Sequence, residues 1–330
     1  MSRRVVYLGI FKMPKLRRLV LTIVAAMATA MAVSTPVLAI DCNPLLEDFN
    51  RLVDSGNEAL AQNLVDKIAT SAECGQYQIP VQRRLSALRL KMAQLMMARG
   101  RPVADYERLL LTAQVPEVLW QASATLGEVR FGERRFSEAA EAFDLAIEIV
   151  KNESRTPVSP SKFEIEGLIQ RSAEARLLAA NAPASEGGKK FVKTATDQRD
   201  GTLGGLYSRS VRGIIPRAVP VPITFEYGTT NFTSVGEAAV RELLEVLKEQ
   251  KPSHVLLVGH TDVRGSAEFN MKLSQDRADA VASFLQQNGL TTAIKTEGKG
   301  ANEPLRLFDT SGLSEDDIYA LNRRVEWRRE

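Results

Sequence analysis

The stretch GHTDVRGSAEFNMKLSQDRADAV, Gly259 to Val281, decides how the last third of the chain is read. An aliphatic run, Val255 to Val258, leads into it, and an acid, Asp262, follows that run closely. A base, Arg277, stands fifteen residues after the acid. From Asn270 to Gln287 the apolar residues Leu273, Val281, Phe284 and Leu285 recur at helical spacing and predict an amphipathic helix. Arg277 lies four residues after Leu273 and four before Val281, so it interrupts the apolar stripe. A cation in that position is costly unless something pairs with it. Asp262, at the end of a buried strand, is placed where a loop can present it. The pair either holds a ligand or pins strand to helix by binding each other.

Working outward, residues 219–330 alternate strand and helix signals. VPVPITFEY sets Val219, Val221, Ile223, Phe225 and Tyr227 on one face of a strand. Pro220 and Pro222 assign that strand to a sheet edge. SVGEAAVRELLEVLKEQ carries a helical stripe at Ala239, Val240, Leu243, Leu244 and Leu247. VLLVGH is a short buried strand and TTAIKTEG a weak one. RRVEWRR reads as a closing edge strand, with Val325 and Trp327 inward and a solvated face opposite. The order β-α-β-α-β-β predicts an α+β sandwich with helices on one face of a mixed sheet.

Taken with GKGANEP and NRRVEW, the opening stretch resembles the OmpA-like peptidoglycan-binding domain of outer membrane protein A, peptidoglycan-associated lipoproteins and flagellar stator proteins. Thr261-Asp262, Gly265, Asn270, Leu273-Ser274, Arg277-Ala278, Val281 and Asn322-Arg323-Arg324-Val325 carry the resemblance. It implies non-covalent binding of the diaminopimelate residue of the peptidoglycan stem peptide, through Asp262 and Arg277. Asn270, the Leu273 backbone, Arg324 and Thr261 are the further pocket candidates. The chemistry is consistent. The far carbon of diaminopimelate bears an ammonium and a carboxylate, which an acid and a planar guanidinium can read together.

The N-terminal part differs. From about Asp41 to Lys151 the pattern is helical, with almost no strand signal. ASATLGEVRFGERRFSEAAEAFDLAIEIV resembles a tetratricopeptide repeat, with Leu126-Gly127, Phe136, Ala139, Phe143 and Ala146 at the repeat's spacing. It departs from that family at Arg130, where an aromatic is usual, and in a late proline, Pro157. Tyr106, Leu110 and Ala113 precede Ala139, Phe143 and Ala146 by 33 residues each, as an earlier unit would. Such an array either presents a groove to a protein partner or acts as a packed spacer. The expected domains are a helical array over 40–154, a helix and flexible linker over 155–218, and the binding domain over 219–330.

The first 39 residues read as a secretory signal. Lys15, Arg17 and Arg18 precede an apolar run from Leu19 to Val33, and Val37-Leu38-Ala39 offers a cleavage site. The fifteen-residue run is short for a membrane span of about 20 residues. Met13 is an alternative start to Met1. Asp41 before Cys42 argues against a lipidation signal. Export to an oxidising compartment predicts that the two cysteines, Cys42 and Cys74, form a disulfide.

Charge is balanced, with 43 basic and 40 acidic residues, and gives no argument for nucleic acid. His254 and His260, six residues apart on a strand, would stand about 20 Å apart and cannot share a metal. No cofactor is expected. Asp262 and Glu268 are the carboxylate pair that a hydrolase would need, but Glu268 is expected in a loop, and enzyme activity is not expected. The reading is a periplasmic, non-enzymatic protein associated with the cell wall and outer membrane. The alternative is an inner-membrane-anchored stator-type protein, against which the apolar segment 19–33 carries no acid for ion conduction.

Overall fold

The computed structural model describes residues 41–182 and 207–329. The signal-like segment and most of the expected linker, 183–206, lie outside the described residues.

Helices α1 (Cys42–Asp54) and α2 (Glu58–Thr70) begin on side-chain caps, Asp41 accepting from the Asn43 amide and Asn57 from the Leu60 amide. A 3-10 turn, Ala72–Tyr77, follows. Cys74 within it is joined to Cys42, with Cα atoms 5.8 Å apart. Phe49, Val65, Ile68 and Leu85 pack around Cys74 in a small core of their own.

Helices α3 (Gln78–Ala98), α4 (Val103–Gln114), α5 (Trp120–Gly132) and α6 (Phe136–Lys151) continue the array. The crossing of α5 and α6 depends on Gly127. A Cβ there would lie 2.7 Å from the Phe143 ring, so only hydrogen lets the helices approach this closely. Arg130, the residue out of place for a tetratricopeptide repeat, donates to Glu107 on α4. Arg135 donates to the same carboxylate, so one acid ties α4 to the start of α6.

Helix α7 (Lys162–Asn181) starts on a reciprocal cap between Ser161 and Glu164. The sequence suggests an amphipathic helix in a junction. The structure instead buries α7 nearly all round, including Arg171, Glu174 and Arg176. Its buried charges are paired. Arg171 binds Glu128 and Glu174, while Arg176 and Ser172 both reach Asp144. On its other side, Glu174 accepts from the Phe308 amide and Gln170 donates to the Arg306 carbonyl. One apolar core therefore runs from α5 and α6, through α7, into the C-terminal sheet.

The sheet has four strands, β1 (Ala218–Val221), β2 (His254–Gly259), β3 (Ala293–Gly298) and β4 (Val325–Arg328), in the order β1-β4-β2-β3. β2 and β3 are parallel and the other pairs antiparallel. Val219, Trp327 and Leu257 stand in register across three strands, a buried row packed with helices α8 (Ser234–Gln250) and α9 (Ala267–Gln287) in the common core. The architecture is α+β, a helix-rich region followed by a mixed sheet.

Three details differ from the sequence reading. A further helix, α10 (Glu315–Asn322), stands between β3 and β4, so the order is β-α-β-α-β-α-β. β4 lies between β1 and β2 rather than at an edge, and the charges Arg324, just before it, and Glu326, within it, are buried, not solvated. β1 is the edge strand that its prolines require, but it stops at Val221, and Tyr227 is 96% exposed because the chain turns there.

Candidate functional site

β2 delivers the site. Its apolar residues bury the strand, and Gly259 ends it under α9, where a Cβ would lie 2.0 Å from the Ser274 carbonyl oxygen. Gly298, at the same level of β3, would collide with the Gln275 amide in the same way. Two glycines thus let α9 rest directly on the strand ends. Ser274 completes the junction, its hydroxyl accepting from the Gly300 amide at 2.8 Å.

Beyond Gly259 the chain becomes a loop pinned from several sides. The Thr261 amide donates to the Gly300 carbonyl, and the buried Thr261 hydroxyl finds no hydrogen-bond partner among the described residues. Asn270 is buried, and its amide group donates to the carbonyls of Asp262 and Arg264 at 3.2 and 3.0 Å. It fixes the loop's shape and so aims the Asp262 side chain. Ser266 caps α9, which begins at Ala267, three residues before the expected start at Asn270. Glu268 consequently lies in the first helical turn and is exposed, away from any acid–base arrangement with the buried Asp262.

The Asp262 carboxylate is buried and shared. Oδ1 accepts from the Arg264 amide at 3.0 Å and Arg264 Nε at 3.3 Å. Oδ2 accepts from Arg264 Nη2 and Arg323 Nη1, each at 2.8 Å. Burial pushes this carboxyl up, but the hydrogen bonds from Arg264 and Arg323 outweigh it and hold it at about 2.

Arg277 is buried too, and its situation is the reverse. Its Nε donates to the Thr229 carbonyl at 3.1 Å, and its guanidinium lies 4.9 Å from the Phe225 ring centroid. No carboxylate pairs with it among the described residues, and Asp262 and Arg277 do not bind each other. Burial, reinforced by the like charge of Arg323, lowers the guanidinium to about 10, with Asp262 opposing. The 228–230 turn, whose Thr229 carbonyl Arg277 binds, and α9 border a cleft of about 290 Å³ lined by Thr229, Thr230, Phe269 and Leu273 among others, with neither Arg277 nor Asp262 in its wall. A larger cleft of about 1020 Å³, between α7 and residues 213–220, reaches neither Asp262 nor Arg277.

Arg324 departs from the expectation. Its guanidinium binds Glu326 at 2.8 Å through Nε and the Glu303 carbonyl at 3.2 Å. Residues two apart on an extended chain share a face; Arg324, just before β4, and Glu326 and Arg328 within it form a row of ion pairs. The i,i+2 alternation of Arg-Glu-Arg was the signal for this internal ladder. Arg323, the preceding residue, is the one that reaches Asp262. His260 joins the ladder, Nε2 lying 3.5 Å from Glu326, and no group of metal-ligating side chains forms among the described residues. No helix among the described residues is long and apolar enough to cross a membrane.

The OmpA family model matches residues 224–312, which contain β2, β3, α8, α9 and the Asp262 loop. Among curated proteins, the chain is 35% identical over 131 residues to the probable lipoprotein YiaD of Escherichia coli, 39% of this chain and 57% of that one. It is 32% identical over 151 residues to the peptidoglycan-associated lipoprotein of Pseudomonas aeruginosa, 44% of this chain and 87% of that one. The chain thus spans little more than half of the first relative and most of the second. Among solved structures, the OmpA-like domain of FopA1 from Francisella tularensis shares 27% identity, covering 33% of this chain and 69% of that one, with a TM-score of 0.28. Matched by the family model and by a relative aligned over nearly its whole length, the chain belongs to the OmpA family through its C-terminal domain.

Proposed function

We propose that the protein binds peptidoglycan without covalent chemistry, holding the diaminopimelate residue of the stem peptide at Asp262 and Arg277. One observation carries this reading: Arg277 is a buried guanidinium with no carboxylate partner among the described residues, held on a turn, at Thr229, that borders a small cleft. Burying a cation unpaired is costly, and an incoming carboxylate would relieve that cost. In this reading the diaminopimelate carboxylate pairs with Arg277 and its ammonium with Asp262. Leu273 contributes to the cleft wall, while Asn270 and Thr261 shape the loop that carries Asp262. The name of the Pseudomonas aeruginosa relative points the same way.

The protein acts as a non-enzymatic component of the periplasm, at the cell wall and outer membrane. The helical array serves as a docking module for a protein partner or as a spacer. The expected signal segment supports export.

Sedimentation of the full chain with purified sacculi tests the reading. Wild type should pellet with diaminopimelate-type sacculi and less with lysine-type sacculi, which lack the far carboxylate. Arg277→Ala should stay in solution, because the ligand carboxylate would be buried unpaired. Arg277→Lys should bind poorly, since a point charge cannot form the two-pronged contact. If Asp262→Ala combined with Arg277→Ala pellets as wild type does, this pocket is not the site.

A further inference from the structure

The carboxylate assigned to the ligand's ammonium is already full. A carboxylate offers about four lone-pair positions. Asp262 accepts four donors, the Arg264 amide and Nε on Oδ1 and the Nη groups of Arg264 and Arg323 on Oδ2. An ammonium cannot enter unless one of these leaves. The Arg264 amide is fixed by the turn, whose carbonyl is bound by Asn270. Arg323 emerges from the end of α10, and its side chain is 32% exposed. The Arg264 side chain is 52% exposed, against 8% for Asp262, and it supplies two of the four donors.

Arg264 also has somewhere to go. Its guanidinium lies over the Tyr319 ring at 4.7 Å from the centroid, and it feels the opposite charge of Asp316 on the same helix. It can leave Asp262 while keeping that perch on α10. Arg323 and the backbone then remain to orient the carboxylate.

We propose that Arg264 is a displaceable internal cation. It occupies the ammonium subsite on Asp262 in the free protein and is exchanged for the ligand's ammonium on binding. This rests on the assignment of Asp262 and Arg277 made above. In the free site Arg264 and Arg323 bind the Asp262 carboxylate, and Arg277 feels its charge without binding it. A ligand that brings only an amine must displace Arg264 and gains nothing at Arg277. A ligand that brings an amine and a carboxylate displaces one cation and neutralises another. Arg264 is thereby a specificity-determining residue for the amine end of the ligand.

Calorimetric titration of the full chain with the tripeptide L-Ala-γ-D-Glu-meso-diaminopimelate tests this. Removing a half-exposed ion-pair partner should tighten binding by about two- to five-fold in Arg264→Ala. Arg264→Gln should show the same gain if it comes from the charge. The gain should vanish in an Asp262→Asn background, and for the same tripeptide with its far amine acetylated. Weaker binding by Arg264→Ala would mean that Arg264 holds the ligand, and would overturn the proposal. An equal change for the free and acetylated tripeptides would overturn it as well. If wild type binds in an Arg277-dependent way and Arg264→Ala shows no gain, this inference alone fails. If wild type does not bind the tripeptide, the assignment beneath it fails too.

Discussion

Replacing Arg277 with methionine should make the unliganded protein more stable while removing its grip on the wall. Methionine fills a similar volume without charge. The guanidinium is lowered to about 10 by burial and by Arg323, so keeping it protonated near neutral pH costs on the order of 3 kcal/mol. Two contacts offset part of that cost. The hydrogen bond to the Thr229 carbonyl is worth about 1 kcal/mol, and the cation over Phe225 about another 1 kcal/mol. The balance favours Arg277→Met by roughly 1 kcal/mol, or about 2–4 °C for a unit of this size. Thermal unfolding without ligand, followed by circular dichroism, reads the first half of the prediction. Sedimentation with sacculi reads the second. A lower melting temperature for Arg277→Met without ligand would show that Arg277 pins the fold, and would refute the argument that its charge serves binding.

The Asp262 carboxyl lies below its ordinary value when folded, so its contribution to stability is present above about pH 4 and fades as pH falls toward about 2. Binding to sacculi should therefore hold steady from pH 7 to about pH 4, and a half-loss near pH 6 would contradict the pairing of Asp262 with Arg264 and Arg323. Gly127→Ala should destabilise by about 1–3 kcal/mol, because its new carbon meets the Phe143 ring at 2.7 Å; an unchanged denaturation midpoint would show that α5 and α6 can separate freely. Reducing the Cys42–Cys74 bridge, which closes 32 residues, should cost about 3–4 kcal/mol in the α1–α3 region. Hydrogen exchange should locate that loss there and leave the sheet unchanged, and wall binding should survive.

Much of this was visible in the sequence wherever a residue broke a local pattern. Arg277 interrupted an apolar stripe, and it is buried. Pro220 marked an edge strand, and β1 is one. Helix α10 was missed because Glu315, Asp316 and Asp317 resemble a solvated loop. Ser314 followed three residues later by Asp317 was a usable sign, and the two form a reciprocal cap. Arg324 is the expected pocket residue, but Arg323 reaches Asp262, because that depends on where α10 ends and β4 begins, which spacing within the motif does not define. The burial of α7 was hidden for a different reason. Its charges answer to Glu128, Asp144 and the 306–308 segment, partners far away in sequence. Tyr227 belonged to an alternating run, but a turn held between Glu226 and Asn231 ended the strand geometry before it.

Asp317 also has a second office. Besides capping α10 through Ser314, it takes both Nη groups of Arg134, from the bend between α5 and α6, at 2.8 Å each. Arg134 holds its carboxyl well below the ordinary range. At the far end of the same helix, Arg323 grips Asp262. Eight residues of α10, a rod of about 12 Å, connect the array to the Asp262 loop. A displacement of the α5–α6 bend would therefore be passed along a short strut to the Asp262 loop, the proposed wall contact.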